Sequence, residues 1–152
     1  MKERVAKLAQ GEWIVLVAGV LLIVDLLLLP WYSVPISNRD LDVLEIRGIV
    51  VDLTYSGVQS STAGYGVAAV VLAGVMVLQI IVTRLLGMHL PDAPVPWSQI
   101  HLILGIFVAV VLVIKLVRVT EFLGFGAYSA ILAGILVAYG GYRIAQEPGE
   151  PT

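Results

Sequence analysis

Three charged residues within or beside long apolar runs are the first candidates for chemistry in this chain. Asp25 interrupts the first such run, and Lys115 and Arg118 lie near the end of the third. An ionisable group inside a membrane span is costly, tends to face other helices, and marks a functional site by default. Asp25 is five residues before Pro30 and Lys115 is five residues before Thr120. At 1.5 Å per residue, both are expected roughly 7 Å below the same membrane boundary.

This shared depth leaves two interpretations of Asp25 and Lys115 open. In the first, the two side chains form an intramembrane ion pair, with Arg118 one turn above as an alternative or second partner. In the second, each side chain snorkels separately to the nearby headgroups and makes no pair. The first interpretation predicts a polar element inside the protein. The second predicts only charged side chains in contact with the headgroups.

Other groups that could carry catalysis or bind a metal are sparse. The two histidines, His89 and His101, have no carboxylate or second histidine at ligand spacing, which argues against a metal or haem site. His101 lies fourteen residues from Lys115, roughly 21 Å along a helix, which is too far for a direct proton relay. We expect His101 near the cytoplasmic interface. The absence of cysteine excludes disulfides and thiolate chemistry. The sequence therefore predicts no catalytic residue, no metal and no cofactor.

Two further patterns point to helix packing rather than to chemistry. Gln79 interrupts the second apolar run, where an interhelical hydrogen bond is the first interpretation and contact with a substrate the second. Small residues recur every four positions in the fourth run, at Gly126, Ala130, Gly134 and Ala138. Such a stripe lets helix backbones approach closely in lipid. It packs either on a helix of the same bundle or on another subunit.

Composition places these residues in a membrane protein. The chain has 152 residues, of which 59% are hydrophobic and 13% are charged, and its mean hydropathy is +0.98. A soluble domain carries roughly 25% charged and 45–50% apolar residues. A soluble domain this small has no core large enough to bury the additional apolar residues. The net charge of −2 excludes a basic surface for nucleic acid.

The fold class predicted is an all-α membrane protein, a four-transmembrane-helix bundle forming one domain over residues 1–145. Runs of about 18 or more apolar residues are typical of spanning helices. The expected spans are about 13–30, 64–86, 98–119 and 122–143, and residues 146–152 form a mobile tail.

The connection 31–63 between the first two spans is long and partly β. Residues 49–55 alternate with a period of two, which is typical of a strand. Residues 41–46 are ambiguous between its partner strand and a helical turn.

Basic residues set the expected orientation. Lys2, Arg4 and Lys7 precede the first span, and lysine and arginine close to a span favour the cytoplasmic side. Both termini are therefore predicted to be cytoplasmic, with the 31–63 loop outside.

Two short segments carry a resemblance to a known group of proteins. Residues 28–33 (LLPWYS) follow Gly11-Glu12 and a run of leucines, and residues 138–142 (AYGGY) end the fourth span. In these segments and in its topology the chain resembles small four-span membrane proteins of unassigned function common in actinobacteria. This resemblance implies a bacterial cytoplasmic membrane and assigns no functional residue. The layout is also similar to that of claudin-like proteins, although the cysteine pair and the Gly-Leu-Trp motif of their first loop are absent.

These observations favour a non-enzymatic integral membrane protein. We expect a structural or accessory subunit that contacts the lipid bilayer and a protein partner, or a second copy, through the 31–63 loop and its helix-packing faces. The alternative is a small transporter, channel or lipid-binding protein that uses Asp25 and Lys115. A lipid-modifying enzyme is a third interpretation, in which Glu121 would join Asp25, Lys115 and Arg118 at the outer face.

Overall fold

Four long helices and a small antiparallel sheet make up the fold. We analysed a computed structural model, which describes residues 8–34, 53–59, 61–88, 94–118 and 120–146. The helices are α1 (Gln10–Leu28), α2 (Ala63–Ile80), α3 (Trp97–Arg118) and α4 (Phe125–Gln146), and a π-helical turn, Ile81–Leu85, continues α2. The strands are β1 (Pro30–Val34) and β2 (Leu53–Ser56).

All four helices are long and apolar enough to cross a membrane. Their positions confirm the four helical runs expected from sequence, with ends shifted by a few residues. The first helix ends at Leu28 rather than at Pro30, because a proline cannot donate a backbone hydrogen bond and disfavours helix in the residue before it.

Each helix packs against two others. α4 lies between α1 and α3, and α2 closes the bundle by contacting the same two helices. The core is built from fully buried aliphatic side chains of all four helices, among them Val15, Met76, Val108 and Val137. Large apolar side chains also cover the outside of every helix, which is the arrangement expected for a surface in contact with lipid.

Close contacts between helices occur where glycine removes the side chain. A Cβ atom on Gly141 would lie 2.5 Å from the carbonyl oxygen of His101, and one on Gly105 would lie 3.0 Å from the Cα of Ala138. These positions bring the backbones of α3 and α4 together. Gly140 brings the backbones of α1 and α4 together, since its Cβ would lie 3.0 Å from the backbone nitrogen of Val15.

The small-residue stripe of α4 packs within the chain. Gly134 contacts Leu112 of α3, Ala138 lies opposite Gly105, and Gly126 lies against the carbonyl of Pro30. Ala130 is fully buried. Of the two partners considered for the stripe, the structure therefore shows the one inside the bundle.

The sheet lies at the bundle end that holds the end of α1 and the start of α4. β1 pairs with β2 in antiparallel register, with Tyr32 opposite Tyr55 and Val34 opposite Leu53. On its other side β1 bonds to the α3–α4 connection: Ser33 N–H donates to the carbonyl of Phe122 at 2.9 Å, and Gly124 N–H donates to that of Trp31 at 2.8 Å. The sheet thus joins three separate parts of the chain.

The expected strand over 49–55 is confirmed in its last part, since β2 begins at Leu53. Among the described residues its partner is β1, directly after the first helix. Residues 35–52, including 41–46, lie outside the described residues, as do the N-terminal basic residues and the tail from 147.

Candidate functional site

Lys115 is fully buried at the end of α3 that faces the sheet. Its ammonium Nζ donates to Thr62 Oγ1 at 2.9 Å and to the Thr62 carbonyl at 3.2 Å. Thr62 is the residue that precedes α2. A single cation on the third helix therefore holds the start of the second.

Two aromatic rings complete the surroundings of this cation. Lys115 Nζ lies 4.9 Å from the centre of the Trp31 ring and 5.2 Å from that of Tyr32. Both distances are within the range of cation–π attraction. The Tyr32 hydroxyl also bonds to Thr62 Oγ1 at 3.0 Å. We call Trp31, Tyr32, Thr62 and Lys115 the loop clamp, because the first two begin the 31–63 connection and Thr62 ends it.

A β-bulge explains how two consecutive residues of one strand both face the cation. Neighbouring strand residues normally point to opposite faces of a sheet. The register between β1 and β2 shifts between Pro30 and Tyr32, which places Trp31 as the extra residue. A bulge redirects the side chains beside it, and both rings are buried as a result, with Trp31 0% and Tyr32 5% exposed. The loop clamp was not predicted from the sequence, where the Trp-Tyr pair directly after Pro30 was its only signal.

Asp25 has a different partner from Lys115. The hydroxyl of Ser129 on α4 donates to Asp25 Oδ2, and Oδ1 is buried with no hydrogen-bond partner among the described residues. Asp25 and Lys115 form no ion pair within the described part of the chain, where the ion pair observed is between Arg84 and Glu12. Arg118, the other partner considered, is exposed at the end of α3. Each of the two charges considered as an ion pair thus bonds instead to a hydroxyl-bearing residue of another part of the chain.

The bond between Arg84 and Glu12 was not predicted. Arg84 Nε lies 2.6 Å from Glu12 Oε1, and Glu12 Oε2 accepts the backbone N–H of Ala9 at 3.0 Å. Glu12 therefore caps the start of α1 while it joins that start to the π-helical turn after α2. The sequence carried one signal for this bond: an acidic and a basic residue at the ends of two predicted spans, both expected on the same side of the membrane.

His101 lies near the start of α3 and is 3% exposed. Its Nδ1 lies 2.9 Å from the Trp97 carbonyl, and its Nε2 has no partner among the described residues. The Gln79 carbonyl accepts the Thr83 hydroxyl at 2.9 Å, whereas its side chain makes no interhelical hydrogen bond within the described residues. Neither residue contributes to the loop clamp.

Across the described residues no three histidine, aspartate or glutamate side chains come together in a group that could hold a metal ion. The polar groups inside the bundle are joined in pairs and small clusters that connect one element to another. These contacts hold the described elements together.

Comparisons with known proteins give no assignment for this chain. No family model matches it, and no curated protein and no solved structure matches it either.

Proposed function

We propose that this chain is a non-enzymatic, four-span integral membrane protein that acts as a structural or accessory subunit by presenting its 31–63 loop to a partner. The loop clamp is the observation that carries the proposal. Trp31 and Tyr32 at the beginning of the loop and Thr62 at its end all contact Lys115 of α3. Both ends of the loop are thereby attached to one rigid point of the bundle.

The sheet strengthens this attachment. Val34 of β1 is paired with Leu53 of β2, so the 18 residues 35–52 leave and re-enter the sheet at adjacent positions. A loop held at both ends loses less conformational entropy on binding, which favours recognition of a partner. Loops held on rigid scaffolds are frequent recognition sites.

Membrane placement is part of the proposal. The exposed apolar side chains of the helices would face lipid, and an even number of spans would place both termini on one side. The basic N-terminus favours the cytoplasmic side for them. The loop would then lie on the outer face of a bacterial cytoplasmic membrane.

A second candidate is a small transporter or channel in which Asp25 is the polar element. The observation that favours it is the buried Oδ1 atom of Asp25, for which the described part of the chain supplies no hydrogen-bond partner. Against it, the carboxylate is bonded to Ser129 of a neighbouring helix, and an aqueous path needs a polar lining.

Native mass spectrometry of the protein, gently extracted from its own membrane, tests the proposal. We expect a stoichiometric protein partner or a discrete homo-oligomer. A monomer that carries only a specific small molecule would contradict the subunit proposal and favour the second candidate.

A loop-replacement variant sharpens this experiment. Because Val34 and Leu53 are paired, an Asn-Gly turn in place of residues 35–52 can close β1 and β2 into a two-residue hairpin. This variant should keep its thermal midpoint in detergent and lose the partner. Deletion of residues 147–152 is the matched control and should retain the partner. If the partner remains bound after loop replacement, the loop does not mediate recognition.

A further inference from the structure

An open groove runs along the outside of the bundle between α1 and α4. It has a volume of about 330 Å³. Its lining is apolar apart from the indole N–H of one tryptophan and consists of Trp13, Ile14, Val17, Ala18, Leu21 and Leu136. The groove is therefore suited to a hydrocarbon chain rather than to a polar solute.

A polar bridge closes one end of this groove. Arg143 Nη2 donates to Gln10 Oε1 at 2.8 Å, and Arg143 Nη1 lies 3.4 Å from the Tyr139 hydroxyl. Gln10 precedes Val17 by seven residues and Arg143 follows Leu136 by seven, which is two helical turns in each case. The bridge thus lies on the groove side of both helices. Along the helix axes it is about 10 Å from the middle of the groove.

Within the described part of the chain, Arg143 has no ion-pair partner and keeps N–H donors that make no hydrogen bond. A guanidinium carries five N–H donors, and the two bonds above use two of them. No carboxylate among the described residues forms an ion pair with it, since the pair formed there is Glu12–Arg84. A guanidinium with free donors matches the geometry of a phosphate group.

We propose that this groove and its polar end bind one anionic phospholipid. The phosphate lies against Arg143 and the Gln10 side chain, and one acyl chain occupies the groove beside Trp13. The proposal rests on the membrane placement proposed above, which puts Arg143 at the cytoplasmic face. Anionic lipids of that leaflet attract basic residues near its surface.

Trp13 reports directly on the occupant, because it lines the groove and is 41% exposed. The full-length protein is reconstituted in phosphatidylcholine vesicles that contain a small fraction of brominated phosphatidylglycerol, or the same fraction of brominated phosphatidylcholine. Bromine quenches tryptophan on contact, and the difference between wild type and Trp13→Phe isolates the Trp13 signal. We expect stronger quenching by the anionic lipid.

The variant Arg143→Gln tests the headgroup contact. We expect it to reduce the preference for phosphatidylglycerol over phosphatidylcholine about fivefold, which corresponds to one basic residue at a membrane surface. Arg118→Gln is the matched control, because it removes the same charge from an exposed position at the opposite end of the bundle, and it should leave the preference unchanged.

Three results would overturn the proposal. The first is equal quenching by the two lipids in the wild-type protein. The second is loss of the preference on addition of inorganic phosphate, which would show recognition of the free anion. The third is protection of Trp13 from both lipids together with a discrete dimer, which would assign the groove to a second copy. The first two results do not bear on partner binding by the loop, which is measured at the other end of the molecule. A dimer formed through the groove would persist after replacement of residues 35–52, whereas a partner bound by the loop would be lost.

Discussion

Glu12 and Arg84 are 72 positions apart in sequence, and Glu12 Oε1 lies 2.6 Å from Arg84 Nε. The bond joins the start of α1 to the π-helical turn that follows α2. The Glu12 side chain is 10% exposed and that of Arg84 is 43% exposed. The pair therefore lies at the edge of the bundle, where one partner is shielded and the other remains in contact with solvent or headgroups.

A double-mutant cycle on Glu12→Gln and Arg84→Gln should give a coupling free energy of about 1 kcal/mol, at the upper end for a partly exposed pair. The readout is the unfolding free energy in detergent. The equivalent cycle on Glu12 and Arg118 is the control and should give a coupling free energy near zero. Arg118 ends α3 at the opposite end of the bundle from Glu12. Additive effects for Glu12 and Arg84 would show that their contact contributes nothing to stability.

Thr62 tests the loop clamp most directly. Thr62→Val keeps the shape of the side chain but removes the hydroxyl that accepts from Lys115 and bonds to Tyr32. The cation then loses one of its two hydrogen bonds while it stays buried, so we expect destabilisation by about 1–3 kcal/mol. Hydrogen exchange should rise at the backbone N–H groups of Ser33 and Gly124, which join β1 to the α3–α4 connection.

Thr54→Val is the control for this experiment, because Thr54 is exposed on β2 and valine suits a strand. It should change stability by less than about 0.5 kcal/mol. Equal behaviour of the two variants would mean that the loop clamp does not hold the loop ends.

Gly141 tests the close packing of α3 and α4. A Cβ on Gly141 would lie 2.5 Å from the carbonyl oxygen of His101, and this backbone atom cannot move without shifting the helix. Gly141→Ala should therefore lower stability by about 1–3 kcal/mol, the usual cost of overpacking.

Gly74 is the matched control for this glycine substitution. It is also inside a helix, but a Cβ there would meet nothing within 4 Å. Gly74→Ala should be neutral or stabilise the protein by up to about 1 kcal/mol, because alanine is the better helix former. Thermal midpoints in the same detergent compare the two variants, and a Gly141→Ala midpoint equal to that of Gly74→Ala would contradict the observed helix contact.

Ser129 is the partner of the buried carboxylate of Asp25. Ser129→Ala leaves Asp25 without a hydrogen bond from the described residues, and we expect a loss of about 1–3 kcal/mol. Asp25→Ala in the Ser129→Ala background should then cost much less than in wild type, since the two residues act as a unit. Ser98→Ala on α3 serves as the control for removal of a hydroxyl. Full additivity at Asp25 and Ser129 would rule out a structural bond.

The amino-acid sequence alone predicts the four helices, since lipid-length apolar runs can satisfy their backbone only as helices. It also indicates one packing face of α4, because Gly126, Ala130, Gly134 and Ala138 share one side of that helix, but it did not single out the close backbone contacts at Gly140 and Gly141. The two interpretations of Asp25 and Lys115, an ion pair or separate contacts with headgroups, both followed from their depth alone. Residue counts give the depth of a side chain in the membrane, but they do not give the rotation of each helix about its axis.

Which polar groups meet depends on the tertiary structure. Lys115 bonds to Thr62 and not to Asp25, because the rotation of α3 and the bulge in β1 bring Trp31, Tyr32 and Thr62 around the ammonium group. Asp25 faces Ser129 of α4 instead. These contacts join residues 30 to 104 positions apart, and such long-range pairings depend on how whole elements pack, which no local pattern in the chain encodes.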